Sequence, residues 1–155
     1  MSVAFRRESD EEHLEPTFEL PIPPGPNLVT ARGLALIGER IAALEATLAA
    51  EADEMRRKEI QRDLRYWGTR HATAQPMPIA SGGIVAFGSR VRFRFNGSER
   101  AIDIVGDDEA EPSAGRIAFS APLVRAMMGA EPGDFADFGG KADAIEILAI
   151  SPVPA

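Results

Sequence analysis

Arg90-Val91-Arg92-Phe93-Arg94-Phe95-Asn96-Gly97 alternates charged and apolar side chains and then stops on a dipeptide suited to a tight turn. Successive side chains of a strand point to opposite faces, so Val91, Phe93 and Phe95 share one face and Arg90, Arg92 and Arg94 the other. Asn and Gly tolerate the positive φ of a two-residue hairpin turn, and Ala101 to Val105 returns with Ile102 and Ile104 on one face. The stretch predicts a β-hairpin wet on one side. Further strands are expected at Ile84 to Phe87, Arg116 to Phe119 and Ala144 to Ile150. A short helix is expected from about Pro122 to Met128, with Ser120 as a cap near its start and Gly129 suited to its end. This unit is a small, mainly antiparallel sheet with one short helix packed on it.

Upstream of Ser81-Gly82-Gly83 the period changes. Leu34, Ile37, Ile41, Leu44 and Leu48 repeat at alternating spacings of three and four, which places one narrow apolar seam along a helix, with Thr30 as its N-cap. Ile60, Leu64, Trp67 and His71 repeat the spacing, while Arg56, Arg57, Lys58, Arg62 and Arg65 fall mainly on other faces. Two such seams satisfy each other as an antiparallel hairpin. Its turn is expected near Ala49 to Asp53, which makes each arm roughly 20 residues, or about 30 Å. Pro76 and Pro78 end the second arm. Glu51, Asp53 and Glu54 place carboxylates at the turn, where they either solvate it and favour the start of the second helix, or form a functional acidic tip.

Before the hairpin, Ser9 to Asn27 carries Asp10, Glu11, Glu12, Glu15 and Glu19 and then Pro21, Pro23, Pro24 and Pro26. Such a stretch buries too little apolar surface to offset its ordering entropy, unless Phe18 anchors it. The expected organisation is a flexible acidic and proline-rich tail over 1–27, a helical hairpin over 28–75, a linker over 76–83 and the β domain over 84–155. The fold class is α+β.

Composition narrows the chemistry. The 155 residues include no cysteine, and His13 and His71 are far apart, so neither a disulfide nor a zinc site is expected. A net charge of -7 opposes sequence-independent binding to nucleic acid. No apolar run approaches the roughly 20 residues that cross a bilayer, and the expected location is the cytoplasm. The acidic cluster Asp107, Asp108, Glu109 and Glu111 lacks the spaced oxygen ligands of a calcium loop and reads as an exposed turn or a partner surface.

Several separate motifs in the right order resemble the bacterial GreA/GreB transcript-cleavage factors. Val85-Ala86-Phe87-Gly88-Ser89 is similar to the family's opening strand and glycine turn. Ile104 to Glu111 is similar to its IVG-x-(D/E)-E-A-D segment, with Glu111 in place of the final aspartate. Ser120-Ala121-Pro122 and Arg125-Ala126-Met127-Met128-Gly129 are similar to its SP-x-x-RAL-x-G helix, with one residue inserted between serine and proline. Arg62 to Trp67 resembles the descending arm of GreB more than that of GreA. The family's tip motif, close to GDLSENAEY, is absent, and the arms are several turns short. In this the hairpin resembles that of Rnk, a Gre-like protein with a short coiled coil.

The resemblance implies an FKBP-like antiparallel β domain behind a short coiled coil, in a monomer that binds core RNA polymerase at its secondary channel and contacts DNA or RNA only indirectly. Asp107, Asp108, Glu109, Glu111, Ser120, Pro122 and Arg125 are the polymerase-binding candidates that it implies. Glu51, Asp53 and Glu54 are the tip candidates. No catalytic residue, metal or cofactor of its own is expected. Two alternatives stand beside this reading. One is a true cleavage factor whose tip carboxylates help the polymerase hold a second magnesium ion that activates water. The other, by fold analogy alone, is a peptidyl-prolyl isomerase, for which the few scattered aromatic residues supply a poor pocket.

Overall fold

The computed structural model describes residues 18–154. Asp10, Glu11, Glu12, His13 and Glu15 of the acidic tail lie outside them. The described chain divides into two compact units, one formed by residues 18–25 together with Leu36–Thr73, the other by Pro26–Ala35 together with residues 74–154.

The first unit is the helical hairpin. Helix α1 runs Ala31–Ala50 and helix α2 runs Glu54–Thr73, each of 20 residues. Arg57 donates to the carbonyls of Leu48 and Glu51 near the turn, and the Arg40 guanidinium lies 4.6 Å from the Trp67 ring centre further along. Early residues of one helix therefore meet late residues of the other, and the helices are antiparallel. Ile37 and Ile60 are fully buried, while Ile41, Leu44, Leu48, Leu64 and Trp67 are half-covered. His71, expected on the seam, is exposed, and its neighbour Arg70 is buried instead. Tyr66 stacks edge-on against Trp67 at 4.9 Å.

The second unit contains the sheet. Strands β1 (Leu28–Val29) and β2 (Gln75–Pro76) form a small parallel pair, completed by the Met77 N–H donating to the Val29 carbonyl at 3.0 Å. Strands β3 (Ser89–Phe95), β4 (Ser98–Val105), β5 (Arg116–Ala118), β6 (Phe135–Phe138) and β7 (Lys141–Pro152) form a five-stranded sheet in the order β5-β4-β3-β7-β6. The β3–β4 hairpin turns on Asn96 (φ 52°) and Gly97 (φ 75°), the positive values that favour this dipeptide in a tight turn.

The expected strand at Ile84 to Phe87 is not formed. Val85 exchanges backbone hydrogen bonds with Gly129 and Ala130 in the loop beyond the short helix, and Gly88 (φ 84°) turns the chain into β3. The sheet is also mixed rather than purely antiparallel. Residues 106–115 carry the chain back before β5 starts, so β5 runs parallel to β4. Strand β6 pairs antiparallel with β7 and gave no clear alternation in the sequence.

One face of the sheet carries the core. Val91, Phe93, Ile104, Ile145 and Ile147 are fully buried, and helix α3 (Pro122–Met127) sets Val124 and Met127 in the same cluster with Val85 and Phe87. Each such side chain contributes about 1.5–3 kcal/mol by leaving water. On the opposite face Arg90 pairs with Asp103 at 2.6 Å and Arg94 with Glu146 at 2.6 Å, both across strand neighbours. The hydrogen bond to Asp103 raises the Arg90 pKa above its ordinary value.

Candidate functional site

Strand β4 ends at Val105, and Gly106 to Glu109 makes a turn closed by the Glu109 N–H on the Gly106 carbonyl at 3.2 Å. Gly106 is required there: a Cβ would lie 2.4 Å from the Leu28 carbonyl oxygen, inside any tolerable contact with backbone. The turn aims its carboxylates in different directions.

Glu109 points inward, with its side chain 3% exposed. Its Oε1 accepts from the Thr30 hydroxyl at 2.5 Å, and its Oε2 accepts from Arg32 Nη1 at 3.0 Å. Thr30 Oγ1 in turn accepts from the Gly33 N–H at 2.9 Å, the geometry of an N-cap. A buried carboxylate thus sits at the start of α1, where the helix dipole and two donors stabilise its charge. Gly33 allows that approach, since a Cβ there would stand 2.8 Å from Glu109 Oε1. Glu109, expected on the partner surface, instead holds the fold.

Asp107 turns the other way, and its Oδ1 accepts from the Ser120 hydroxyl at 2.5 Å. This bond ties the acidic turn to the start of α3. Ser120 is therefore not the helix cap; the cap position belongs to Ala121, which makes no side-chain cap bond, and Pro122 takes the first helical position, where its missing N–H costs nothing. Asp108 is half-buried in the same turn. Glu111 faces out and closes a local loop with Arg116 through a 2.7 Å ion pair and paired backbone hydrogen bonds. Arg125 is exposed on the last turn of α3, on the same helix side as Pro122 three residues earlier. The exposed part of the expected surface is thus Glu111, Ser120, Pro122 and Arg125.

In the hairpin unit, Glu51 to Asp53 link the helices. Glu51 Oε2 accepts from the Asp53 N–H at 3.1 Å, and Asp53 Oδ2 accepts from the Arg56 N–H at 2.9 Å, so Asp53 caps α2. Glu54 is exposed in the first turn of α2. Among the described residues, no group of three or more His, Asp and Glu side chains is placed to hold a metal ion. Among them, too, no helix is long and apolar enough to cross a membrane.

Sequence reasoning missed the link between Glu109 and the residues that start α1. Thr30 was legible as a cap, but its partner lies 79 positions away, and no local spacing signals it.

Residues 80–152 match the family described as transcription elongation factor GreA/GreB, C-terminal. Over 74 residues the chain is 40% identical to transcription elongation factor GreA of Sinorhizobium medicae, a stretch covering 45% of this chain and 47% of that protein. Over 75 residues it is 40% identical to GreA of Rhizobium etli, covering 46% and 48%. The match thus spans about half the length of these curated relatives. Among solved structures, a GreA/GreB elongation factor from Nitrosomonas europaea is loosely similar, at 19% identity and a TM-score of 0.39 over 83% of this chain and 99% of that one. The matched stretch lies within the sheet unit and contains the β4 turn and the α3 start, and over it the chain is similar to the C-terminal domain of the GreA/GreB family.

Proposed function

We propose that this protein is a Gre-like elongation regulator that docks on core RNA polymerase through its sheet unit, at the secondary channel, and does so without efficient stimulation of transcript cleavage. The observation that carries this reading is the hairpin itself: two helices of 20 residues each, joined at Glu51 to Asp53. At about 1.5 Å per residue such an arm extends about 30 Å, several turns less than the family's probe, so a tip on the same dock stops short of the metal centre. The carboxylates at its apex also serve the hairpin, since Asp53 caps α2 and Glu51 orders the turn.

On this reading the protein acts on the polymerase rather than catalysing by itself, holds no metal of its own, works as a cytoplasmic monomer and touches nucleic acid only through its partner. Glu111, Ser120, Pro122 and Arg125 would meet the polymerase. Contacts of this exposed, partly charged kind weaken with salt. A pull-down of core polymerase at two salt concentrations, with and without competing GreA or GreB, tests the docking. Loss of capture on competition is expected, and capture indifferent to both competitors would place the dock elsewhere.

The exposed Glu54 favours a second reading, a true cleavage factor. Stalled, backtracked elongation complexes separate the two. Little release of short 3′ RNA is expected on addition of the protein. Rapid release that disappears in Asp53→Asn/Glu54→Gln, a pair that keeps the cap but removes both charges, would establish the second reading.

A further inference from the structure

Helix α2 carries a cationic stripe on the side away from the hairpin seam. Lys58, Arg62 and Arg65 recur at spacings of four and three, as do the seam residues Ile60, Leu64 and Trp67. The two stripes are offset by two residues, about 200° of helical rotation, so they occupy opposite faces. The cationic face is not bare. Arg65 makes a bidentate ion pair with Glu19, at 2.5 and 2.9 Å, and the Arg62 guanidinium lies 5.8 Å from the ring centre of Phe18. Both contacts belong to the hairpin unit, and both come from the proline-rich leader rather than from the packed core.

We propose that residues 18–25 form a releasable strap that occupies this cationic face in place of an acidic, aromatic-bearing segment of a partner protein. The strap has the character of a cover rather than of a core element. Phe18 remains 64% exposed and Ile22 45% exposed, and the Arg65 and Glu19 side chains are 58% and 61% exposed. An exposed bidentate pair and one cation–π contact favour the docked strap over the released one by on the order of ten-fold. That margin holds the leader in place and lets a competing ligand displace it. The recognised chemistry is a phenyl ring beside a carboxylate, read by two guanidinium groups one helical turn apart. The net charge of -7 argues for a protein ligand over a nucleic acid. This inference does not rest on the polymerase reading.

The test titrates the full chain with a synthetic peptide copying residues 10–25 and follows binding by NMR. In Glu19→Arg the tethered strap is repelled, so the peptide should bind about ten-fold more tightly than to the natural chain, because the intramolecular competitor is removed. Glu19→Gln should give a smaller gain in the same direction. Adding Arg65→Ala to either variant should abolish the gain. Equal affinity for the natural chain and both Glu19 variants, or a gain that survives Arg65→Ala, overturns the proposal. A gain shown by a single-stranded RNA oligonucleotide and not by the peptide overturns it in favour of a nucleic-acid ligand.

Discussion

Glu109 shows how one residue can leave a motif's surface and become part of its frame. Its carboxylate is buried against Thr30, Arg32 and Gly33, and removing its charge leaves the Thr30 hydroxyl and the Arg32 guanidinium with a weaker acceptor. Glu109→Gln should destabilise the sheet unit by about 1–3 kcal/mol, read as a lower midpoint in chemical denaturation. Gly33→Ala should also destabilise it, by pressing a methyl group on the same carboxylate. The double variant Gly33→Ala/Glu109→Ala should cost less than the sum of its parts, with a coupling of about 0.5–3 kcal/mol, because truncating Glu109 clears the space that the methyl group needs. Strict additivity would mean that the two residues do not meet. Glu19 supplies a pH signature. The hydrogen bond from Arg65 lowers its pKa, so the folded carboxyl holds its proton less tightly than the unfolded one. The strap's contribution is therefore complete above the ordinary carboxylate range and lost as pH falls through the lowered value. An NMR titration of Glu19 should show a midpoint below the ordinary glutamate range in the natural chain and a return towards it in Arg65→Ala.

At the level of elements, the hairpin owes its ends to side chains rather than to its narrow seam. Asp53 starts α2, and Arg57 reaches back to the carbonyls of Leu48, in the last turn of α1, and of Glu51 in the turn, where a cation also complements the helix dipole. Asp53→Ala should cost the hairpin about 1 kcal/mol, while Asp53→Asn should cost a few tenths at most, since asparagine caps as well. Thermal melts followed by helical circular dichroism separate the two. A cost for Asp53→Asn equal to that of alanine would mean that charge rather than capping matters at the turn. In the sheet unit, α3 is placed by the loop it touches. The Ser120–Asp107 bond and the Gly129–Val85 backbone pairing hold its two ends, which is how a helix of six residues keeps a fixed position.

Across the whole chain, a net charge of -7 coexists with cations concentrated on one face of α2 and on the wet side of β3. Non-specific affinity for double-stranded DNA should therefore be too weak for a gel shift at physiological salt, and a retained complex under those conditions would contradict the charge argument. The β3–β4 hairpin, the lengths of α1 and α2, the site of their turn and the Thr30 cap were all legible in the residue order. Each depends on neighbours within a few positions: alternation for the strand pair, three-four spacing for the helices, Asn96-Gly97 for the tight turn. The segment from Val85 to Gly129 carried the family resemblance for the same reason, as a run of local motifs in order. Long-range pairing was not legible. Val85 reads as a strand residue because its apolar neighbours suit one, yet its hydrogen bonds go to the loop after α3; β5 lies parallel to β4 because of the path taken by residues 106–115; and Arg70, not His71, is buried, which three-four spacing does not register. The candidate surface divided in the same way. Residue order alone brought Asp107, Asp108, Glu109 and Glu111 together, and only tertiary structure decided that Glu109 turns into the fold while Glu111 faces water, because a carboxylate's direction is set by donors that arrive from elsewhere in the chain.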